Sequence, residues 1–272
     1  LVTTDWVLDN LNTLKIIDAS WHMPAQKRNP AEEYLNAHIP NSVFFDLDKN
    51  SEKDTDLPHM LPKREAWEKI MSSLGINNND DILIYDNSDL KSSCRCWFSL
   101  LYFGHDEKKI HILNGGLKKW IFENKPITKS MTEIIESNYV AKKKENLVVS
   151  LDQIKRNILS KSFNVIDARS LERFEGKVSE PRKGLRSGHI QNSFCLPFNL
   201  CINQKTGEFK NLEELKELFN QHENIEKRLD PVFTCGSGVT AAVLAYAYKM
   251  VNNDYIPKIY DGSWSEYGKY PA

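Results

Sequence analysis

The chain lacks any long apolar run. Across its 272 residues no stretch approaches the roughly 20 residues that a membrane-spanning helix needs. It lacks an excess of charge of either sign, with 36 lysines and arginines against 37 aspartates and glutamates. Nothing in that balance argues for a nucleic-acid or membrane surface, and neither partner is expected. It lacks a disulfide framework: five cysteines, an odd number at irregular positions, fit free thiols in a reducing compartment. Residues 1–9 lack a signal-peptide pattern. A cytoplasmic location is expected, or a mitochondrial one if a short leader has been removed before Leu1. What remains is the composition of a globular protein, 40% hydrophobic and 27% charged. Its length fits one large domain or two ordinary ones.

The chain repeats one order of features twice. The first copy runs Ile16-Ile17-Asp18-Ala19, a buried strand pattern, then the loop His38-Ile39-Pro40-Asn41-Ser42. The strand Ile82-Leu83-Ile84-Tyr85-Asp86 follows, then a helix over 93–103, Ile112-Leu113-Asn114-Gly115-Gly116 and Trp120. The second copy runs Val165-Ile166-Asp167-Ala168, Gly188-His189-Ile190-Gln191-Asn192-Ser193, Val232-Phe233-Thr234-Cys235 and Ile259-Tyr260-Asp261-Gly262-Ser263-Trp264. The spacings agree: Asp18 to His38 is 20 positions and Asp167 to His189 is 22, while Asp86 to Asn114 is 28 and Cys235 to Asp261 is 26. Strands alternating with helical patterns predict an α/β unit with a mainly parallel sheet in each half. The expected division is a domain over 1–128, a polar linker over 129–147 with solvated Lys142, Lys143 and Lys144, and a domain over 148–272.

The richest stretch is Pro231-Val232-Phe233-Thr234-Cys235-Gly236-Ser237-Gly238-Val239-Thr240-Ala241. It reads as a strand, a tight loop and the start of an apolar helix over 239–250. Glycines let the loop curl with its N–H groups inward, and a helix N-terminus adds partial positive charge. Such a cup favours an anion, and the thiolate is the reactive form of cysteine. Asp86 stands in the first copy where Cys235 stands in the second. The segment after it has no glycine cup, so the first half is expected to be silent and to wall one site between the halves.

The Cys235-Gly236-Ser237-Gly238-Val239-Thr240-Ala241 loop resembles that of the two-domain rhodanese-like sulfurtransferases, in particular the 3-mercaptopyruvate sulfurtransferases. The resemblance covers essentially the whole chain. It implies two tandem rhodanese-like domains, each a mainly parallel sheet flanked by helices. Thiosulfate-preferring relatives carry basic side chains after the cysteine, whereas Gly236 and Ser237 carry no charge, which suits a 2-oxo-3-mercapto acid. The resemblance further implies that Arg173 and Arg182, nine positions apart, bind the substrate carboxylate as guanidinium forks, with Arg186 a third candidate. Backbone groups of Gly236, Gly238, Val239 and Thr240 would cradle the substrate. Asp48, His59 and Ser237 match a proposed catalytic group in which the carboxylate orients the imidazole and the imidazole polarises the hydroxyl.

The expected chemistry is attack by Cys235 on the sulfur of 3-mercaptopyruvate, release of pyruvate and transfer of the persulfide sulfur to a thiol acceptor such as thioredoxin or a small thiol. No cofactor or metal is required. The alternatives are a thiosulfate sulfurtransferase and a persulfide relay module with low turnover. Phosphatase chemistry is disfavoured because Ala241 stands where a Cys-x5-Arg loop has its arginine. His38 and His189 repeat in both halves and read as structural. Cys94 and Cys96 point to different helix faces and do not suit zinc. Cys195 and Cys201 read as buried thiols. Trp264, Tyr267 and Tyr270 are left between lining the site and packing.

Overall fold

The computed structural model describes residues 1–221 and 229–270. One compact unit consists of Leu1–Glu52, Leu61–Lys144 and Gln204–Glu208. It runs α1 (Thr4–Asn10), β1 (Lys15–Asp18), α2 (Pro30–Asn36), β2 (Ser42–Phe44), α3 (Arg64–Ser73), β3 (Ile82–Tyr85), α4 (Ser93–Tyr102), β4 (Ile110–Ile112) and α5 (Gly116–Phe122). The strands pair in parallel in the order β2-β1-β3-β4. Parallel strands covered on both faces need unbroken apolar runs, and every residue of β3 is buried. The helix α4 is buried along its whole length. Ile16, Leu83, Tyr85, Leu117 and Trp120 pack into one core cluster.

The polar stretch after α5 lies along this unit. Thr128 bridges to His38, Ser137 N–H donates to the Ser72 carbonyl, and Tyr139 is buried. The N–H groups of Lys142 and Lys144 donate to the carbonyls of Phe103 and Tyr102, while the three lysine side chains stay exposed. Backbone hydrogen bonds, which the sequence pattern does not reveal, hold the segment down.

The second unit consists of Lys53–Met60, Glu145–Asn203 and Phe209–Ala272. It runs β5 (Val148–Val149), α6 (Leu151–Ser160), β6 (Asn164–Asp167), α7 (Leu171–Phe174), β7 (Ser193–Cys195), α8 (Leu212–Gln221), β8 (Pro231–Thr234), α9 (Val239–Val251), β9 (Ile259–Tyr260) and α10 (Ser263–Tyr267). Its parallel sheet has the order β5-β9-β8-β6-β7. The series β7, β6, β8, β9 repeats β2, β1, β3, β4, which makes the duplication structural. The extra edge strand β5 has a slight counterpart in the first unit, where Val2 bridges to Leu113 just past β4. Among the described residues no helix is long and apolar enough to cross a membrane.

All five cysteines are free. Cys195 departs from its expected burial: it sits on the edge strand β7 and is only partly covered. Burial still pushes its thiol up to about 12, with Asp167 adding to the effect, and burial pushes Cys201 to about 12 as well. Burial raises the Cys96 thiol further. These three are protonated at neutral pH and are poor nucleophiles.

Candidate active site

The cysteine loop of the second unit is four residues, Cys235 to Gly238, between the end of β8 and the start of α9. Gly238 caps α9 at φ +78°, a left-handed conformation that glycine adopts at no steric cost. The outer side of the loop is pinned by α10. Trp264 N–H donates to the Cys235 carbonyl at 2.9 Å, and Ser265 donates to the Gly236 carbonyl from its N–H at 2.9 Å and its hydroxyl at 2.6 Å. In a trans peptide the N–H points opposite to the carbonyl. The N–H groups of Gly236 and Ser237 are thereby turned away from α10. The first N–H groups of α9, on Val239 and Thr240, have no acceptor within the helix. Together they form a donor cup at the positive end of a 13-residue helix. Cys235 is 2% exposed at its edge.

Gly236 sets the distance from the loop to Arg173 and Arg182. A Cβ added there would lie 3.3 Å from Nη2 of Arg173 and 3.4 Å from Nη1 of Arg182. Both guanidinium groups therefore reach the loop, and a side chain at 236 would press on them. Arg182 Nη2 also donates to the Ser237 hydroxyl at 3.3 Å. Arg173 is braced by Glu180, donating from Nε at 3.2 Å and from Nη2 at 2.5 Å.

The Ser237 hydroxyl lies 2.8 Å from Nδ1 of His59. A hydroxyl accepting from Arg182 keeps its own proton to donate to that nitrogen when Nδ1 is unprotonated. His59 is 5% exposed and has φ +61°, a sparsely populated conformation for a residue with a side chain. It reaches Ser237 because Lys53–Met60 belongs to the second unit, although the flanking chain belongs to the first. Asp48 lies in the first unit, where its carboxylate accepts the Trp21 indole N–H at 3.0 Å.

The same position in the first unit is filled differently. Asp86 follows β3 as Cys235 follows β8, and its carbonyl accepts Leu117 N–H at 2.9 Å, as the Cys235 carbonyl accepts from Trp264. Its carboxylate turns into its own loop and accepts the N–H groups of Ser88 at 3.1 Å and Ser93 at 2.9 Å. Those donors are engaged by the protein itself.

Several residues around the site were not singled out in the sequence. Arg169, buried beside β6, holds both oxygens of Asp167 and donates to Glu180 at 2.8 Å. Its guanidinium lies 4.4 Å from the centre of the Trp264 ring. Ser263 accepts Cys235 N–H at 3.3 Å and donates to the Tyr260 carbonyl at 2.8 Å. It does so at φ +50°, where the first unit has Gly116 at φ +61°. A serine kept where the other copy uses glycine was the signal available in the sequence.

Arg186, the third arginine considered, lies instead among the C-terminal aromatics, 4.7 Å from the Trp264 ring, with Nε donating to the Tyr270 carbonyl. Trp264 is a packing residue, 1% exposed, with its indole N–H on the Arg186 carbonyl. His38 and His189 play parallel parts: each stacks on an aromatic ring of the preceding helix, Tyr34 or Phe174, and bonds to that residue's carbonyl.

Comparison with known proteins agrees with this architecture. The family described as "Rhodanese-like domain" matches residues 3–123 and again 150–270. The chain is 40% identical over 294 residues to thiosulfate/3-mercaptopyruvate sulfurtransferase 1, mitochondrial, of Arabidopsis thaliana, covering 100% of this chain and 76% of that protein. It is 36% identical over 271 residues to 3-mercaptopyruvate sulfurtransferase of Escherichia coli strain K12, covering 98% and 94%. The crystal structure of SseA from Escherichia coli, described as a 3-mercaptopyruvate sulfotransferase with the rhodanese fold, superposes with a TM-score of 0.87. That match has 34% identity and covers 98% of this chain and 99% of that one. With two family matches in tandem and full-length relatives above 30% identity, the chain belongs to the rhodanese-like family, among its two-domain sulfurtransferases.

Proposed function

We propose that this protein moves sulfur from 3-mercaptopyruvate to a thiol acceptor through a persulfide on Cys235. The observation that carries the reading is the loop itself: a buried cysteine at the edge of a donor cup, with Arg173 and Arg182 both against Gly236. The guanidinium groups take the substrate carboxylate and set the donor sulfur before Cys235. The thiolate attacks that sulfur and the carbon–sulfur bond breaks. Its electrons leave on carbon 3 as the enolate of pyruvate. The proton carried by the donor thiol is the one that carbon 3 requires, and Ser237 with His59 offers a path for it, with Asp48 assigned to orient the imidazole. Gly236, Gly238, Val239 and Thr240 stabilise the anionic persulfide with backbone N–H groups, the logic of an oxyanion hole. An acceptor thiolate, of thioredoxin or a small thiol, then attacks the outer sulfur and restores Cys235. Two half-reactions imply ping-pong kinetics. A cytoplasmic or mitochondrial site of action fits this thiol chemistry.

Thiosulfate as a second donor is favoured by one finding, that the Arabidopsis relative is named for both donors. The test is pyruvate release from 3-mercaptopyruvate with a thiol acceptor, beside thiocyanate formation from thiosulfate and cyanide, on wild type and Cys235→Ser. The expected result is dominant pyruvate release that vanishes in the variant. Substantial turnover by Cys235→Ser would overturn the persulfide route.

A further inference from the structure

Arg173 is not held by the protein surface at large. It is the last member of a buried ion chain that starts at the end of β6. Asp167 Oδ2 accepts from Arg169 Nε at 2.9 Å and Nη2 at 2.6 Å, and the Gly188 carbonyl takes a further Nη2 bond at 2.8 Å. Arg169 Nη1 passes on to Glu180 Oε1 at 2.8 Å, and Arg173 grips the same carboxylate through Oε1 at 3.2 Å and Oε2 at 2.5 Å. The side chains of Arg169, Asp167 and Glu180 are 0%, 1% and 2% exposed, whereas that of Arg173 is 22% exposed. Three members are sealed and the fourth reaches the loop beside Gly236.

We infer that Glu180 is a positioning residue that sets both the geometry and the effective charge of Arg173, and thereby the choice of sulfur donor. This rests on the sulfur-transfer reading above. The geometric part follows from the shared carboxylate. Arg173 is an otherwise flexible side chain, and two bonds to a sealed partner fix its fork before substrate arrives. The charge part follows from counting: Asp167 and Glu180 carry two negative charges, Arg169 and Arg173 two positive ones. This four-residue ion chain is neutral as a whole, so Arg173 offers hydrogen-bond donors without adding net positive charge. That suits a singly charged 2-oxo acid and penalises a dianion such as thiosulfate, which needs uncompensated positive charge at the loop.

Glu180→Gln separates these effects from folding. The glutamine oxygen keeps the Oε1 contacts with Arg169 and Arg173. Its NH2 replaces Oε2 and meets Arg173 Nη2 donor to donor, so Arg173 keeps only its longer Nε bond, its fork is loosened, and the ion chain gains one positive charge. The loss of a hydrogen bond to a charged partner is worth roughly ten- to a hundredfold in binding. The expected result is a KM for 3-mercaptopyruvate raised about tenfold or more, a smaller effect on kcat, and a ratio of thiosulfate to 3-mercaptopyruvate kcat/KM shifted toward thiosulfate. Glu180→Asp keeps the charge but shortens the reach, so it should raise KM with little change in that ratio. A purely structural Glu180 would lower the active fraction, reducing kcat for both donors alike with KM and ratio unchanged, and that outcome overturns the inference. Wild type inactive on both donors would instead refute the sulfur-transfer reading on which it stands.

Discussion

Replacing Asp18 by asparagine should stabilise the protein at neutral pH and leave it little changed at pH 4. Asp18 ends β1 and is 2% exposed. Its counterpart Asp167 receives the Arg169 fork, but two positions after Asp18 the first unit has Ser20. The backbone bond is the same in both copies: Ser20 N–H reaches Asp18 Oδ1 at 2.9 Å and Arg169 N–H reaches Asp167 Oδ1 at 3.0 Å. The guanidinium is what the first copy lacks. Burial pushes the Asp18 carboxyl up to about 6 from an unfolded value of 3.8, an effect that hydrogen bonds from Ser20 and Tyr85 partly offset and that Asp86 reinforces. Between those two values the folded chain holds a proton that the unfolded chain has lost. Stability therefore falls as pH rises from about 4 to about 6 and is level above. Two pH units at about 1.4 kcal/mol each make ~3 kcal/mol. Asparagine carries no charge at any pH and keeps the acceptor for Ser20, while its NH2 forfeits part of the gain. The stability difference, variant minus wild type, should grow from near zero at pH 4 to roughly 2 kcal/mol at pH 7. Urea unfolding of both proteins at pH 4, 5, 6 and 7 measures it. A difference that is flat across this range, or that grows toward acid pH, refutes the reasoning.

Two further tests bear on the loop. His59→Ala and Ser237→Ala should lower kcat for 3-mercaptopyruvate by similar factors, and the double variant should lose little more, because the two share one hydrogen bond; multiplied losses in the double-mutant cycle would show independent roles. Ser263→Gly should relieve about 1 kcal/mol of left-handed strain yet reduce kcat several-fold, since it removes the acceptor for Cys235 N–H. A variant that is destabilised with kcat intact would argue that the hydroxyl serves the fold and not the nucleophile.

The readable part of this protein was whatever depends on neighbours in the chain. Unbroken apolar runs such as Ile82 to Tyr85 specify buried parallel strands, and two such series in the same order specify a duplicated α/β fold. Glycines following a cysteine between strand and helix specify a curled loop, because the backbone freedom that glycine supplies is local. That Asp86 stands in the first half where Cys235 stands in the second was legible too. That its carboxylate fills the donor cup was not, for this depends on how the loop closes onto Ser93.

Folding settled the partnerships. His59 and Ser237 are 178 positions apart, and their meeting requires Lys53–Met60 to leave the unit around it and pack with the second. Only family resemblance hinted at it. Glu180 stood in plain view between the two candidate arginines, but no spacing rule says that it is sealed from water or that Arg169 and Arg173 share it. Burial is a property of everything packed around a group, and a salt bridge acquires its energetic weight from that burial. Identity and periodicity are written along the chain, whereas the environment that turns an ordinary carboxylate into a brace exists only once distant segments have enclosed it.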